Sequence, residues 1–327
     1  MNRIALAALT LSFLTAYAGV VLASEANWPR LPSPLASHGA AVADGWLYVY
    51  GGHTGKTHDY STETVTGRFQ RLRLSGGTEW EELPGGEPLQ GMNLAEYNGR
   101  LYRAGGMQPR NKPGEPADNH SVRDAALFDP ASRRWEPLPP LPEPRSSHDL
   151  VALDGKLYVV GGWIMRGAAQ KPTWPSCAYV LDLSRIDAGW QPLEQPFQRR
   201  ALTAAAAHGK IYVLGGLTES GDAVQTVNVF DPLAGRWSVG PEFPGDGVGF
   251  SPAACTAGVQ LILSTSDGRL HRLDPAGARW LPAGSLNVSR IVHRLVPLRP
   301  DAILAVGGAS RKGDARVLES ATLAAMP

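Results

Sequence analysis

The sequence predicts an all-β ring of six radial sheets, and three observations carry that prediction. Glycine doublets recur at Gly51-Gly52, Gly105-Gly106, Gly161-Gly162, Gly215-Gly216 and Gly307-Gly308. Each closes a short hydrophobic strand, such as Leu157-Tyr158-Val159-Val160 or Ile211-Tyr212-Val213-Leu214. Tryptophans follow in phase at Trp80, Trp135, Trp190, Trp237 and Trp280, with Trp28 standing ahead of the first doublet. One such sheet cannot bury both its faces, so the units must pack against one another in a ring. The expected class is a six-bladed β-propeller of four-stranded antiparallel blades, forming one domain over residues 24–327.

Each recurring element has a physical role. Glycine after the second strand allows positive φ and a close backbone approach where a side chain would clash. A sixth slot, Ser264-Thr265 after Leu261-Ile262-Leu263, keeps the register without glycines. The tryptophan offers a large apolar area to the neighbouring blade and an N–H that needs a partner. Asp129-Pro130, Asp231-Pro232 and Asp274-Pro275 are turn signals between third and outer strands. Trp28 has no doublet before it and Gly307 has no tryptophan after it. The segment around Trp28–Leu31 is therefore expected to complete the last blade as its outer strand, closing the ring with both termini.

The hydrophobic strand, the doublet, an aromatic three residues before it (Tyr48, Tyr102, Tyr158, Tyr212) and the spaced tryptophan resemble the kelch repeat, with its period of about 50 residues. The resemblance covers almost the whole chain after residue 27. It is weakest in blade five, where the doublet is lost and the loop is short.

Charge is balanced, with 31 Lys and Arg against 30 Asp and Glu, so no nucleic acid or other polyanion is implied as a partner. The N-terminus is different in kind. Arg3 precedes an apolar run from Ile4 to Leu22, and Val21-Leu22-Ala23 has small-residue cleavage chemistry. Residues 1–23 read as a secretory signal, giving a secreted or periplasmic address. A retained anchor is the rival reading, because the run approaches the roughly 18–20 residues that a span needs. Thr10, Ser12, Thr15 and Tyr17 dilute it. No other stretch has the length and apolarity to cross a membrane. Cys177 and Cys255 fall in blades three and five, which are not neighbours, so two separate thiols are expected.

The long connections between second and third strands gather on blades one, two and three, and blades four and five shorten them. Repeat rings collect functional insertions on one face, so that face is the expected binding surface. Counting back thirteen positions from each doublet gives His38, Met92, His148, Leu202 and Ser251, with His293 one step off. Inner strands line the axis, so these histidines are expected near the mouth. Three imidazoles there could hold a ligand, a metal, or only neighbouring backbone groups. Blades one, three and six are not all adjacent and the register holds no carboxylate, so neither metal nor any other cofactor is expected. His53, His58 and Tyr60 form the most chemically dense loop, suited to acid–base work or to a self-bonded turn. Trp163 and Trp174 suit stacking on a sugar ring or packing as the loop's own core. Arg200, Ser146 and Arg290 lie just before inner strands. Similarity to peptide-binding kelch domains implies that Arg200 and Arg290 line the mouth as anion contacts.

No Gly-x-Ser-x-Gly elbow, His-Glu-x-x-His, phosphate-binding glycine loop or Cys-x-x-Cys is present. The leading expectation is a monomeric binding protein whose loop face engages a glycan, peptide or partner protein. The second is an enzyme, since the kelch resemblance includes sialic-acid mutarotases and copper radical oxidases. A mutarotase needs an acid–base pair and an anion-holding arginine. The oxidase type needs a cysteine cross-linked to a tyrosine, and neither Cys177 nor Cys255 has that setting.

Overall fold

The computed structural model describes residues 28–56, 58–245, 247–310 and 316–324. Five sheets of four antiparallel strands and one of three succeed one another around a central axis. Blade one runs Gly39–Ala43, Trp46–Tyr50, Phe69–Arg73 and Glu81–Leu83 from axis to rim. Blade two uses Ala95–Tyr97, Arg100–Ala104, Ala125–Asp129 and Arg134–Pro137, with an extra hairpin, Met107–Pro109 and Asn119–Ser121, in its long connection. Blade three uses Ser146–Leu153, Lys156–Trp163, Cys177–Asp182 and Gln191–Glu194. Blade four uses Thr203–Ala207, Lys210–Leu214, Val227–Asp231 and Arg236–Gly240. Blade five uses Ala253–Ala257, Gln260–Ser264, Arg269–Leu273 and Trp280–Ser285, and blade six Arg294–Arg299, Ala302–Val306 and Glu319–Thr322. The inner strands of blades one, four and five are rich in Ala, as Thr203-Ala-Ala-Ala-Ala207 shows, because strands converging on an axis leave little room for side chains.

The glycine doublets are the joints between blades. The N–H of the second glycine donates to a carbonyl of the next blade: Gly52 to Leu89 at 2.7 Å, Gly106 to Arg145 and Gly162 to Arg199 at 2.8 Å. Gly216 donates to Gly249 at 2.8 Å, and Gly308 donates to Leu35 at 2.7 Å, which closes the ring. A Cβ on Gly307 would lie 2.5 Å from both the Leu35 carbonyl oxygen and His38 Cε1, so no larger residue fits there. The tryptophans tie the rim. Indole N–H groups of Trp80, Trp135, Trp190, Trp237 and Trp280 donate to the carbonyls of Arg30, Pro84, Pro139, Glu194 and Pro241, at 2.7–2.9 Å.

At the axis a second ring forms. Ser37, Gly91, Ser147, Ala201, Ser251 and Val292 all adopt left-handed φ of 50–65°. Backbone N–H groups of Gly91, Ser147, Ala201, Ser251 and Ser37 each donate to the ring residue of the preceding blade, at 2.7–2.9 Å. Left-handed φ at a β-branched residue such as Val292 is unfavourable, and the ring holds it there. Beneath the ring Arg294 crosses the axis, donating to the carbonyls of His38 at 2.9 Å and Met92 at 2.7 Å.

Three expectations change. The sixth slot is Thr265-Ser266, one residue later than the strand pattern suggests. Thr265 N–H turns back to Arg269 O at 3.1 Å in the place where Gly51, Gly105 and Gly215 bond to Arg68, Asp124 and Thr226. Thr265 and Ser266 do not take positive φ, so that slot needs no glycine. Ser251 consequently belongs with Ser37, while His293 is in register with His38 and His148. Second, Trp28–Leu31 does not pair as a strand. Leu31 N–H donates once, to Arg316 O at 2.9 Å, and Leu31 packs with Leu35, Val296, Leu304 and Leu318, so the segment docks beside a three-stranded blade. Third, the histidines do not face the mouth, as the next section describes. Cys177 and Cys255 are free thiols in blades three and five. Among the described residues no helix is long and apolar enough to cross a membrane, and the signal reading of residues 1–23 lies outside them.

Candidate functional site

The three long connections lock into one wall on the face where they emerge. Thr62 N–H donates to Asn111 O at 3.0 Å and Asn111 Nδ2 to Tyr60 O at 2.9 Å, which joins blade one to blade two. Ser121 N–H donates to Met165 O and Gly167 N–H to Asn119 O, both at 2.9 Å, which joins blade two to blade three. The wall surrounds a cavity of about 550 Å³ over the axis, with Ser37, Ser147, Ala201 and Val292 of the axial ring as its floor.

Arg200 enters the cavity from the start of blade four, its backbone fixed by reciprocal hydrogen bonds with Leu217 at 2.8 and 3.0 Å. Its guanidinium lies 4.0 Å from the Trp163 ring centroid and 5.9 Å from that of Trp174, and the two indoles pack together at 5.7 Å. Among the described residues Arg200 has no carboxylate partner, and its buried Nε has no hydrogen-bond partner. Among the described residues no Asp or Glu lines the cavity. Burial holds the Arg200 pKa below its usual value, and the approach of Tyr60 opposes that shift. A half-buried cation on an aromatic shelf attracts negative charge.

His53 and Tyr60 meet edge to face with ring centroids 4.8 Å apart, and His58 stands 6.2 Å from Tyr60. His53 Nε2–H donates to the Asp59 carbonyl at 3.0 Å, which leaves Nδ1 with the lone pair. Burial pushes the His53 pKa down, so the ring is neutral near pH 7. Burial pushes the Tyr60 phenol up, against the pull of Arg200 and a hydrogen bond with Gln90, so it keeps its proton. The cavity thus holds a neutral base, a protonated phenol and a cation.

The structure separates the remaining candidates from this site. His38, His148 and His293 are buried, and each side chain wedges between blades beside the glycine joints. The residue before each one, Ser37, Ser147 or Val292, is left-handed. His148 Nε2–H donates to Ala104 O at 2.9 Å, and His293 Nε2 meets Ser264 Oγ at 3.2 Å. Burial pushes all three down to about 3. Among the described residues no group of three His, Cys, Asp or Glu side chains is placed to hold a metal ion. Arg290 is also structural. Its Nη1 donates to Gly307 O at 3.0 Å and Val317 O at 3.1 Å, and its Nη2 to Glu319 at 3.1 Å. Arg199 does the same in blade four, bonding Gly215 O, Thr226 O and Asn228, and Arg145 bonds Gly161 O and Cys177 O in blade three. Arg290 is thus the counterpart of Arg199, and Arg200 corresponds to Ile291. Trp163 and Trp174 pack on each other and on Arg200, so they serve as the shelf of the cation.

Gln90, Asn119 and Phe250 also line the cavity and carry no signal in a thirteen-residue count. The register that reaches the cavity lies fifteen positions before the doublet, at Ala36, Gln90 and Arg200, while Ser146 in the same place is buried against Ser121. Its bridge partners are the residues after each doublet, among them His53, Met107 and Leu217.

The Kelch motif family matches residues 144–184 and 198–244. The chain is 26% identical over 203 residues to the zebrafish Kelch repeat and BTB domain-containing protein 12, covering 59% of this chain and 32% of that one. It is 33% identical over 158 residues to the N-acetylneuraminate epimerase of Pasteurella multocida, covering 46% of this chain and 37% of that one. The match to mouse Kelch-like protein 40 is 28% over 210 residues, with 62% and 31% coverage. These alignments span about a third of the relatives' own length. The solved structure of YjhT has the same fold, with a TM-score of 0.69, 18% identity, and coverage of 90% of this chain and 95% of that one.

Proposed function

We propose that this β-propeller, which matches the Kelch motif over residues 144–184 and 198–244, is a binding protein whose loop-face cavity takes a carboxylate-bearing glycan. Arg200 carries this reading: a half-buried guanidinium over Trp163, without a counter-ion among the described residues, in a cavity lined by no described Asp or Glu. The carboxylate would meet the guanidinium, and the sugar ring would lie against the aromatic and polar wall of Tyr60, Gln90 and Asn119. A secreted or periplasmic location belongs to the same reading and rests on the apolar run that follows Arg3. The test is calorimetric titration with free N-acetylneuraminate. Wild type should bind, and Arg200→Gln should lose at least about tenfold in affinity, the weight of one charge-assisted contact. Equal affinity in the two proteins would remove the reading.

A second reading has its own observation. His53, with its Nδ1 lone pair, and Tyr60, with its retained proton, stand in the cavity of Arg200. A base that takes the proton of the anomeric hydroxyl and an acid that protonates the departing ring oxygen would break the ring C–O bond and let it reclose on either face of the carbonyl, interconverting the anomers. The relative named as an N-acetylneuraminate epimerase supports this reading. Proton NMR of anomer interconversion decides it: acceleration that is lost in Tyr60→Phe would make the protein a mutarotase.

A further inference from the structure

The cavity has a low side. Its wall is tall over blades one to three, whereas blade five turns from second to third strand within Thr265–Arg269. On that side a groove of about 720 Å³ opens between blades five and six. His58, Phe250, Ile291, Ala309 and Ser310 line both spaces, so the groove continues the cavity outwards. Gly247, Ser266, Ser289 and Arg290 line the groove and not the central cavity, and no Asp or Glu lines it among the described residues. Below the cavity the axial ring joins blade to blade and Arg294 crosses the axis, so the groove gives a lateral route for any part of a ligand that the cavity cannot hold.

Resting on the proposed anion site, we infer that the ligand is the acidic end of an oligosaccharide, with its charged terminal residue at Arg200 and the following residues in the groove between blades five and six. A single sugar acid fills only the central cavity and leaves the groove to water. An extended peptide would bring backbone N–H and C=O groups that need a strand edge. The groove offers serine hydroxyls and the ring of Phe250, which suit the hydroxyls and apolar faces of sugars.

The experiment titrates the full chain with free N-acetylneuraminate, with 3′-sialyllactose, and with a peptide ending in glutamate. The linked sugar should bind about tenfold tighter than the free acid. Ser266→Trp and Ser289→Trp, which fill the groove outside the central cavity, should each erase that excess and leave free-acid affinity within about twofold, with unchanged melting temperatures showing that both fold. Binding of the free acid with no gain from linkage, or a gain that survives both groove variants, overturns the inference and leaves the anion site standing. Tighter binding of the peptide overturns the glycan assignment. Failure of all three probes with wild type removes the anion site itself.

Discussion

Arg294 of blade six and Asp149 of blade three face each other across the axis, with Nη1 3.6 Å from Oδ1. Asp149 also accepts from Asn93 Nδ2 at 2.8 Å, Thr203 Oγ1 at 3.2 Å and Ala204 N at 2.7 Å. Together the pair binds blades one, two, three, four and six at one point. Removing either partner leaves a buried charge without compensation, so Asp149→Asn or Arg294→Met should cost about 3–5 kcal/mol. The double variant should recover part of that loss in urea denaturation, and simple additivity of the two costs would show that they do not interact.

Adjacent arginines should behave oppositely. Arg199 is buried and bonded to three groups of blade four, whereas Arg200 touches aromatic rings and the cavity. Arg199→Gln should lower stability by about 2–4 kcal/mol, because three acceptors lose a charged donor. Arg200→Gln should cost no more than about 1 kcal/mol, the worth of its partly exposed stacking on Trp163, while weakening anion binding. Chemical denaturation and titration of the same samples separate the two roles, and a loss of stability on changing Arg200 as large as that for Arg199 would contradict them.

That pair also shows how far the sequence could be read. The doublets and tryptophans repeat because every joint and every rim bond needs the same atom in the same place, so architecture was legible from spacing alone. Which of two neighbouring arginines points inward was not, since a shift of one residue along a strand exchanges faces. The same shift moved Ser251 and His293 relative to their true registers, once blade five lost its glycines and blade six gained a bulge at Pro297–Arg299. Arg290 looked like a mouth residue for this reason. His53, His58, Tyr60, Trp163 and Trp174 were legible as a chemically rich loop set. Their convergence with Arg200 depends on contacts between blades that no local pattern records.

Acid should destabilise the ring through its wedged histidines. His38, His148 and His293 have folded pKa values of about 3, against 6.5 for an unperturbed imidazole. As pH falls below 6.5 the unfolded chain takes up protons that the folded chain refuses, so this stability is full above pH 6.5 and is lost towards pH 3. Each group adds about 1.4 kcal/mol per pH unit to the slope in that window. Among the described residues neither ring nitrogen of His38 has a hydrogen-bond partner, and Leu202 occupies its place in blade four. His38→Leu should therefore flatten the pH dependence by one such increment and raise stability at pH 7 by about 1–3 kcal/mol, the cost of buried unpaired polar groups. A pH slope identical to wild type would mean that His38 titrates normally.

Removal of residues 25–33 tests how the ring is closed. Three contacts at the axis stay intact in that deletion: Gly308 N to Leu35 O, Ser37 N to Val292 O, and Arg294 Nε to His38 O. What goes is the rim: Leu31, only 2% exposed, its bond to Arg316 O, and the Arg30 carbonyl that receives the Trp80 indole at 2.9 Å. Losing a buried leucine costs about 1.5–3 kcal/mol, and an unpaired indole N–H about another 1–3 kcal/mol. For a chain of this length that loss should lower the melting temperature by several degrees and leave one cooperative transition, because the axial joints still span blades six and one. An unchanged melting temperature would show that the terminal segment adds nothing to closure. A collapse to an unfolded chain would show that the rim, and not the axis, holds the first and last blades together.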